Sequence, residues 1–348
     1  MSSNNAALLP RQSFVQPNEA LLTVDDLCVE YRTPRGPVRA VDHVSFSIAH
    51  GEVFGLAGES GSGKSTIAHA IMRILHPPAV ITGGHVNFSG DDVLEMDGDE
   101  LARFRWRDVS MVFQSAMNAL NPVMTIGEQI CDVIQCHLRL SKADSMDKAA
   151  HLLDLVGIER SRLAAYPHQL SGGMRQRAVI AIALALNPPL MIMDEPTTAL
   201  DVVVQKEILQ QISDLKDKMG FSILFITHDM SLMVEFSDRI GIMYAGEIVE
   251  TADAHDVFNN PQHPYTRGLM SSFPSLVGPK VKLTGIPGSP PDMGKPPSGC
   301  RFHPRCDQAM AICSLQRPAL REVAPVHRAA CHLYELTGVT PRTERGTL

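Results

Sequence analysis

Three groups of residues in this 348-residue chain have the types and spacing to do chemistry. The first is Gly58-Glu-Ser-Gly-Ser-Gly-Lys-Ser-Thr66, which fits G-x-x-x-x-G-K-[ST] and sits between the apolar run VFGLA and a helical pattern. Gly58, Gly61 and Gly63, with Ser60 and Ser62 between them, let backbone N–H groups converge on phosphate oxygens without Cβ clashes, and the helix N-terminus adds a favourable dipole. Lys64 has the reach for β- and γ-phosphates, and the Ser65 hydroxyl, next to Thr66, can ligate Mg²⁺. The second group is Asp194-Glu195, at the end of the apolar run LMIMD, where open α/β sheets bind ligands. Asp194 would hold Mg²⁺ through a water, and Glu195 would polarise the attacking water. The third is a thiol cluster: Cys300, Cys306, Cys313 and Cys331 fall within 32 residues, whereas the rest of the chain has only Cys28, Cys131 and Cys136.

The elements that must position these groups can be read from patterning. From Leu21 onward, β-rich segments alternate with helical ones: LLTVDDLCVEY and HVSFSIAHGEVFGLAG read as strands, Ser65 to Leu75 as a helix ended by Pro77-Pro78, and HVNFSG and DVSMVFQ as further strands. Residues from about Thr125 to Tyr166 read as helical, with Leu152, Leu153, Leu155 and Val156 forming an apolar stripe. LMIMDEP and SILFITHD are short, nearly continuous apolar runs, as expected for parallel strands covered on both faces. RIGIMYAGEIVE predicts a hairpin around Ala245-Gly246. This alternation predicts an α/β fold with a mainly parallel sheet, a β-rich N-terminal part and a helical insert over about 115–180.

Composition bounds the setting. Hydrophobic residues at 44% and charged residues at 20% describe a folded chain. The net charge of −7 argues against nucleic acid as the partner. No apolar run approaches the roughly 20 residues needed to cross a bilayer, and the N-terminus does not read as a secretory signal. The expectation is a cytoplasmic protein that reaches a membrane only through partners, with its thiols kept reduced. Residues 1–20 read as a disordered lead-in, and 336–348 as a frayed end. Between Pro274 and Gly299 lie seven prolines and five glycines, too many for a regular element, so 274–299 reads as a semi-rigid linker or a surface-hugging strap.

Beyond these groups, Leu170-Ser-Gly-Gly-Met-Arg-Gln-Arg177 resembles the signature motif of ATP-binding cassette proteins. Asp194-Glu-Pro-Thr-Thr-Ala-Leu-Asp201 is similar to that family's Walker B segment and D-loop. Gln114 in MVFQ is placed like its Q-loop glutamine, His228 in ITHD like its switch histidine, and Tyr31 like the aromatic residue that stacks on adenine. The resemblance covers about 21–262 and implies a P-loop ATPase. In it Gln114 joins Ser65 and Asp194 at Mg²⁺, and Glu195, His228 and Gln114 serve catalysis. It also implies that two cassettes pack head to tail, each ATP lying between one phosphate loop and the opposite Ser171, Gly172, Gly173 and Asp201. Taken singly, the residues are less telling: LSGG also makes a simple helix cap, His228 a strand-end histidine, Gln114 a solvated polar residue, and Tyr31 a core side chain.

The tail, with PQHPYTRGLM, IPGSPPD and GCRFHPRC, resembles the C-terminal extension of oligopeptide and dipeptide importer ATPases, over about 263–335. That resemblance implies two transmembrane permease subunits, a second ATPase subunit (identical or paralogous), an extracytoplasmic binding protein acting indirectly, and a peripheral location at the cytoplasmic face of the inner membrane. Close relatives of this kind carry nickel, glutathione, or cello- and chito-oligosaccharides, so peptide is one cargo among several; a soluble cassette ATPase regulating a protein or nucleic-acid assembly is the contrasting class. The spacing C-x5-C-x6-C-x17-C is unlike paired C-x-x-C zinc knuckles, and four thiolates suit an iron–sulfur cluster. The subfamily resemblance implies a [4Fe-4S] centre, with Zn²⁺ or unligated cysteines as alternatives. His303, His327 and His332 leave mixed ligation open. Arg301, Arg305, Arg317, Arg321 and Arg328, against only Asp307 and Glu322, are expected to offset the charge of such a cluster.

Overall fold

The structure, a computed structural model, describes residues 20–114, 119–197, 200–272 and 285–334. Its strands are β1 (Ala20–Thr33), β2 (Gly36–Ala49), β3 (Val53–Ala57), β4 (Ala79–Phe88), β5 (Asp91–Asp92), β6 (Val109–Val112), β7 (Leu190–Asp194), β8 (Ser222–Ile226), β9 (Arg239–Tyr244), β10 (Glu247–Asp253), β11 (Arg321–Ala324) and β12 (His327–Ala329). Its helices are α1 (Lys64–Ile71), α2 (Gly98–Arg107), α3 (Ile126–Leu138), α4 (Lys142–Leu155), α5 (Gly172–Ala183), α6 (Val202–Met219), α7 (Met230–Phe236), α8 (Ala254–Asn259) and α9 (Pro264–Ser271). The expected lead-in and frayed end lie outside the described residues apart from Ala20, as do 115–118 of the insert, Thr198 and Ala199 of the D-loop segment, and 273–284 of the Pro/Gly-rich segment.

The strands form two sheets, one in the order β2-β1-β4-β5 and the other β11-β12-β10-β9-β3-β8-β7-β6. In the larger sheet, β9, β3, β8, β7 and β6 are mutually parallel. β3, β7 and β8 are buried at all five positions each, which explains why VFGLA, LMIMD and SILFI carry no polar alternation. Burying each large apolar side chain contributes roughly 1.5–3 kcal/mol, so these short strands anchor the domain despite their length. One core lies between this sheet and α3–α6, and a second joins it to β1, β2, β4 and α1, where Phe46 stacks on Phe54 at 5.0 Å.

Local signals set the element ends. Thr125 caps α3 through a reciprocal capping box with Glu128, and Ser141 caps α4. Leu152, Leu153 and Val156 of the apolar stripe are buried, and Leu155 packs partly buried against the same core. The Ala245-Gly246 turn has φ values of +50 and +86, the two-residue geometry that suits a twisted hairpin. One helix is shorter than its pattern predicts: α1 ends at Ile71, four residues before Leu75. The chain reverses there because Arg73 adopts φ +48 and turns its guanidinium onto the carbonyls of Val93 and Met96.

The C-terminal residues continue the larger sheet. Glu250 pairs with Ala329 and Thr251 with Arg328, so β12 and β11 extend its antiparallel edge. Glu250, fully buried, accepts the amides of Gln262 and His263 and a bond from His327 Nε2 at 2.6 Å. Arg301 is 9% exposed and donates to Asp42 of β2, to the Ala245 carbonyl and to Glu247 of β10, and Arg317 reaches the same two carboxylates at 3.1 Å. Removing one member of a buried ion pair strands its partners without water. Arg301→Ala should therefore cost about 3 kcal/mol, read as a lowered urea midpoint with unchanged slope, and Arg301→Lys should fall between it and the parent.

Candidate active site

The phosphate loop begins where β3 ends and runs into α1. Gly58 has φ +148, and a Cβ there would stand 2.2 Å from the Met243 carbonyl oxygen; Gly63 has φ +106, with its Cβ 2.3 Å from the Ala40 oxygen. Both positions therefore admit only glycine. Ser60 and Gly61 are exposed at the loop's tip, while Ser62 is buried, its amide bonded to the Glu59 carbonyl and its own carbonyl to Gly246 N–H. Lys64 is buried, and its ammonium folds back over the loop to the carbonyls of Gly58 at 2.8 Å and Glu59 at 3.0 Å. Burial lowers its pKa, opposed by the carboxylates of Glu195, Asp194 and Glu59.

The strand order brings the other groups to the same edge. β6, β7, β8 and β3 are neighbours, so the residues just after each one share a rim. Gln114, two residues after β6, donates to Glu195 Oε2 at 2.9 Å, and His228, two after β8, meets Glu195 Oε1 at 3.0 Å. Both oxygens of Glu195 are thus held in place. Burial raises the pKa of Asp194, opposed by the neighbouring Ser65 hydroxyl, and Asp194 Oδ1 is buried with no hydrogen-bond partner among the described residues. A buried orphan carboxylate oxygen beside a hydroxyl and a phosphate loop is a donor set that fits a hard, oxygen-seeking cation such as Mg²⁺. On β1, the half-exposed Tyr31 places its hydroxyl 3.4 Å from that of Thr66, beside the start of α1.

Ser171 and Asp201 sit differently. Each caps a helix: Ser171 Oγ accepts the amide of Met174 at α5, and Asp201 Oδ1 accepts that of Val204 at α6. Both are exposed, Gly172 and Gly173 are half-buried, and an added Cβ on Gly173 would meet Val204 at 3.1 Å. Among the described residues, no hydrogen bond joins Ser171, Gly172, Gly173 or Asp201 to residues 58–66.

Cys300, Cys306, Cys313 and Cys331 line one cavity, together with His303, Phe302 and Met310. Burial pushes the Cys300 thiol up to about 12 and Cys331 to about 11, and raises Cys306 as well. The arginines expected to offset charge there are engaged elsewhere: Arg301 and Arg317 bind Asp42 and Glu247, Arg305 binds Glu59, and Arg321 and Arg328 are exposed. The cation that acts on Cys306 and Cys331 is Arg267 of α9, which the spacing of residues gave no reason to choose. Each of the three histidines has one ring nitrogen engaged, His303 Nδ1 at the Cys300 carbonyl, His327 Nε2 at Glu250 and His332 Nε2 at the Gln316 carbonyl, and His303 and His332 line the cavity. Elsewhere Cys28, Asp42 and His43 form the one trio of potential ligands within 4.8 Å of one another among the described residues, but Asp42 is already gripped by Arg39, Arg301 and Arg317.

A glycine-rich loop between a parallel strand and a helix, with an acidic pair at the end of a neighbouring strand, defines a P-loop nucleotide hydrolase. The sequence profile described as "ABC transporter" matches residues 41–198, and "Oligopeptide/dipeptide transporter, C-terminal region" matches residues 249–313. The oligopeptide transport ATP-binding protein OppD of Bacillus subtilis is 44% identical over 88% of this chain and 87% of its own length. The OppD of Escherichia coli is 44% identical over 91% and 94%, and the dipeptide transport ATP-binding protein DppD of Escherichia coli is 42% identical over 90% and 96%. Among solved structures, the ATP-binding cassette MJ0796, described as a dimer in a post-hydrolysis state bound to ADP and Pi, matches with a TM-score of 0.60 and 30% identity, over 67% of this chain and 98% of that one. The chain belongs to the ABC transporter family, as an ATP-hydrolysing subunit that carries the oligopeptide/dipeptide transporter C-terminal region.

Burial raises the pKa of Asp194 in the ligand-free protein. A carboxyl whose folded pKa lies above its unfolded one costs stability as pH rises from the unfolded value through the folded one. Asp194→Asn should therefore raise the unfolding midpoint of the ligand-free protein at neutral pH, an advantage that vanishes in acid, while abolishing the extra stabilisation that Mg-ATP gives the parent. Thermal melts across pH, with and without Mg-ATP, check all three.

Proposed function

We propose that this chain is the ATP-hydrolysing subunit of an importer of oligopeptides or dipeptides. The observation that carries the hydrolytic half of this reading is Glu195, whose two carboxylate oxygens are held by Gln114 and His228 on the rim that carries the phosphate loop. In this reading the N–H groups of Gly58–Thr66 and the ammonium of Lys64 bind the triphosphate, and Tyr31 stacks on adenine. Ser65, Asp194 and Gln114 would hold Mg²⁺, which supplies charge neutralisation for the phosphate oxygens. Glu195 accepts a proton from the attacking water, and His228 senses the γ-phosphate beside it. The cargo reading is supported by the relatives, which are named as oligopeptide and dipeptide transport ATP-binding proteins along nearly their whole length.

The exposed Ser171 cap, with no bond to its own phosphate loop, supports a second site made across two subunits. Ser171, Gly172 and Gly173 would donate to a nucleotide held by a partner ATPase, identical or paralogous, and Asp201 would lie at the same junction. MJ0796 is described as dimeric, which agrees with that arrangement. Two permease subunits and, through them, an extracytoplasmic binding protein complete the machine. No helix among the described residues is long and apolar enough to cross a membrane, so the chain would associate peripherally through those partners. We divide it into the cassette (21–262) and the extension (263–335).

For the extension we propose a [4Fe-4S] cluster held by Cys300, Cys306, Cys313 and Cys331. The four thiols line one cavity and lack the paired C-x-x-C spacing of zinc knuckles, which supports this reading over zinc. Bound there, the cluster would supply a covalent cross-link for a segment that has little apolar mass of its own.

Two measurements test these readings. Glu195→Gln should reduce steady-state ATP turnover by about a hundredfold or more and trap ATP in a closed dimer; undiminished turnover removes Glu195 from its role. Protein purified without oxygen should be brown, with iron and acid-labile sulfide in near-equal amounts, whereas colourless protein with stoichiometric zinc overturns the cluster.

A further inference from the structure

The phosphate loop of this chain contains a carboxylate where a polyphosphate must bind. Glu59 follows Gly58 directly, and its charge acts on the same Lys64 that is to meet the phosphates. An uncompensated negative charge a few ångströms from a triphosphate opposes its binding, strongly so where burial weakens solvent screening. The compensation comes from the C-terminal extension. Arg305, the residue before Cys306, grips both oxygens of Glu59, at 2.8 and 3.0 Å, with a side chain only 7% exposed. Two further donors go to the Pro287 carbonyl at 2.8 Å and the Tyr244 hydroxyl at 3.3 Å, and the guanidinium lies over the Tyr244 ring. Such a two-pronged grip is specific in geometry as well as charge.

A second contact reaches the loop backbone. The hydroxyl of Tyr265, fully buried in α9, accepts the Glu59 N–H at 2.9 Å. Tyr265 packs against Tyr244 at 4.6 Å and Phe302 at 5.4 Å, and Phe302 stands between Cys300 and Cys306 in the chain. Pro290, Pro291 and Met293 line one shallow pocket with Glu59–Ser62. Side chain and backbone of Glu59 are thus both held from beyond residue 262.

Resting on the reading of Gly58–Thr66 as the ATP site, we infer that Arg305 and Tyr265 are positioning residues for ATP binding. Arg305 cancels the Glu59 charge and, with Tyr265, fixes the loop that receives the phosphates. The C-terminal extension is therefore a working part of the nucleotide site, and neither residue touches nucleotide.

The test uses the full-length chain and a non-hydrolysable Mg-ATP analogue, with affinity measured by calorimetry at low and high salt. Arg305→Ala should weaken binding about tenfold at low salt, with a smaller deficit at high salt because screening dulls the exposed Glu59 charge. Adding Glu59→Gln to Arg305→Ala should restore affinity to within about threefold of the parent, a recovery that a purely structural role would not produce. If Arg305→Ala does not fold, Arg305→Lys and Glu59→Gln carry the test. The lysine keeps the charge but not the two-pronged grip and should weaken binding of the analogue about threefold, whereas Glu59→Gln should bind no more weakly than the parent. Equal losses in Arg305→Ala and the double variant, parent-like affinity in Arg305→Ala or in Arg305→Lys, or weakened binding in Glu59→Gln would each overturn the inference. Failure of the parent chain to bind the analogue would instead sink the ATP-site reading beneath it.

Discussion

The structure is organised around charges held out of water at one rim of a parallel sheet. Lys64, Asp194 and Glu195 crowd that rim, and the Lys64 ammonium is buried with only carbonyls and a serine hydroxyl as direct partners. Such an arrangement is unfavourable unless something of opposite charge completes it. In the proposed reading a magnesium triphosphate would do so: its phosphates would take the ammonium and the loop amides, and Asp194 would help to hold its cation. β3, β7 and β8, buried at every position, hold these groups firmly at the rim.

That rigidity comes from a division of labour in the fold. The buried strands deliver loop, acidic pair, Gln114 and His228 to adjacent places because β6, β7, β8 and β3 are sheet neighbours. The insert helices α3 and α4 share a core with the same sheet. Ser171 and Asp201 instead cap helices that point their free ends outward. In the proposed reading such an ATPase would complete its nucleotide contacts from a second molecule, and closure of the pair would be the mechanical event.

The extension is the less expected part. Its strands complete the sheet's antiparallel edge, its arginines bind carboxylates of β2, β10 and the phosphate loop, and its thiols gather around a separate cavity. Reading Arg301, Arg305 and Arg317 as a charge balance for the thiols was reasonable from proximity in the chain. Proximity in space assigns them otherwise: Arg301 and Arg317 hold Asp42 and Glu247, which are costly to leave alone once buried, and Arg305 holds Glu59.

The amino-acid order by itself determined the phosphate loop, the acidic pair, the apolar strands and the Ala245-Gly246 hairpin, because each depends on residues within a few positions of one another. Gly58 and Gly63 could be recognised for the same reason: a spacing pattern encodes a local backbone shape. Only the tertiary structure decided that Gln114 and His228 share one glutamate, that α1 stops at Ile71, and that Arg305 belongs to a loop some 250 residues earlier than itself. Those facts rest on which strands lie side by side and on which buried charges meet. Both are settled by packing the whole chain at once, and no short stretch of it carries that information.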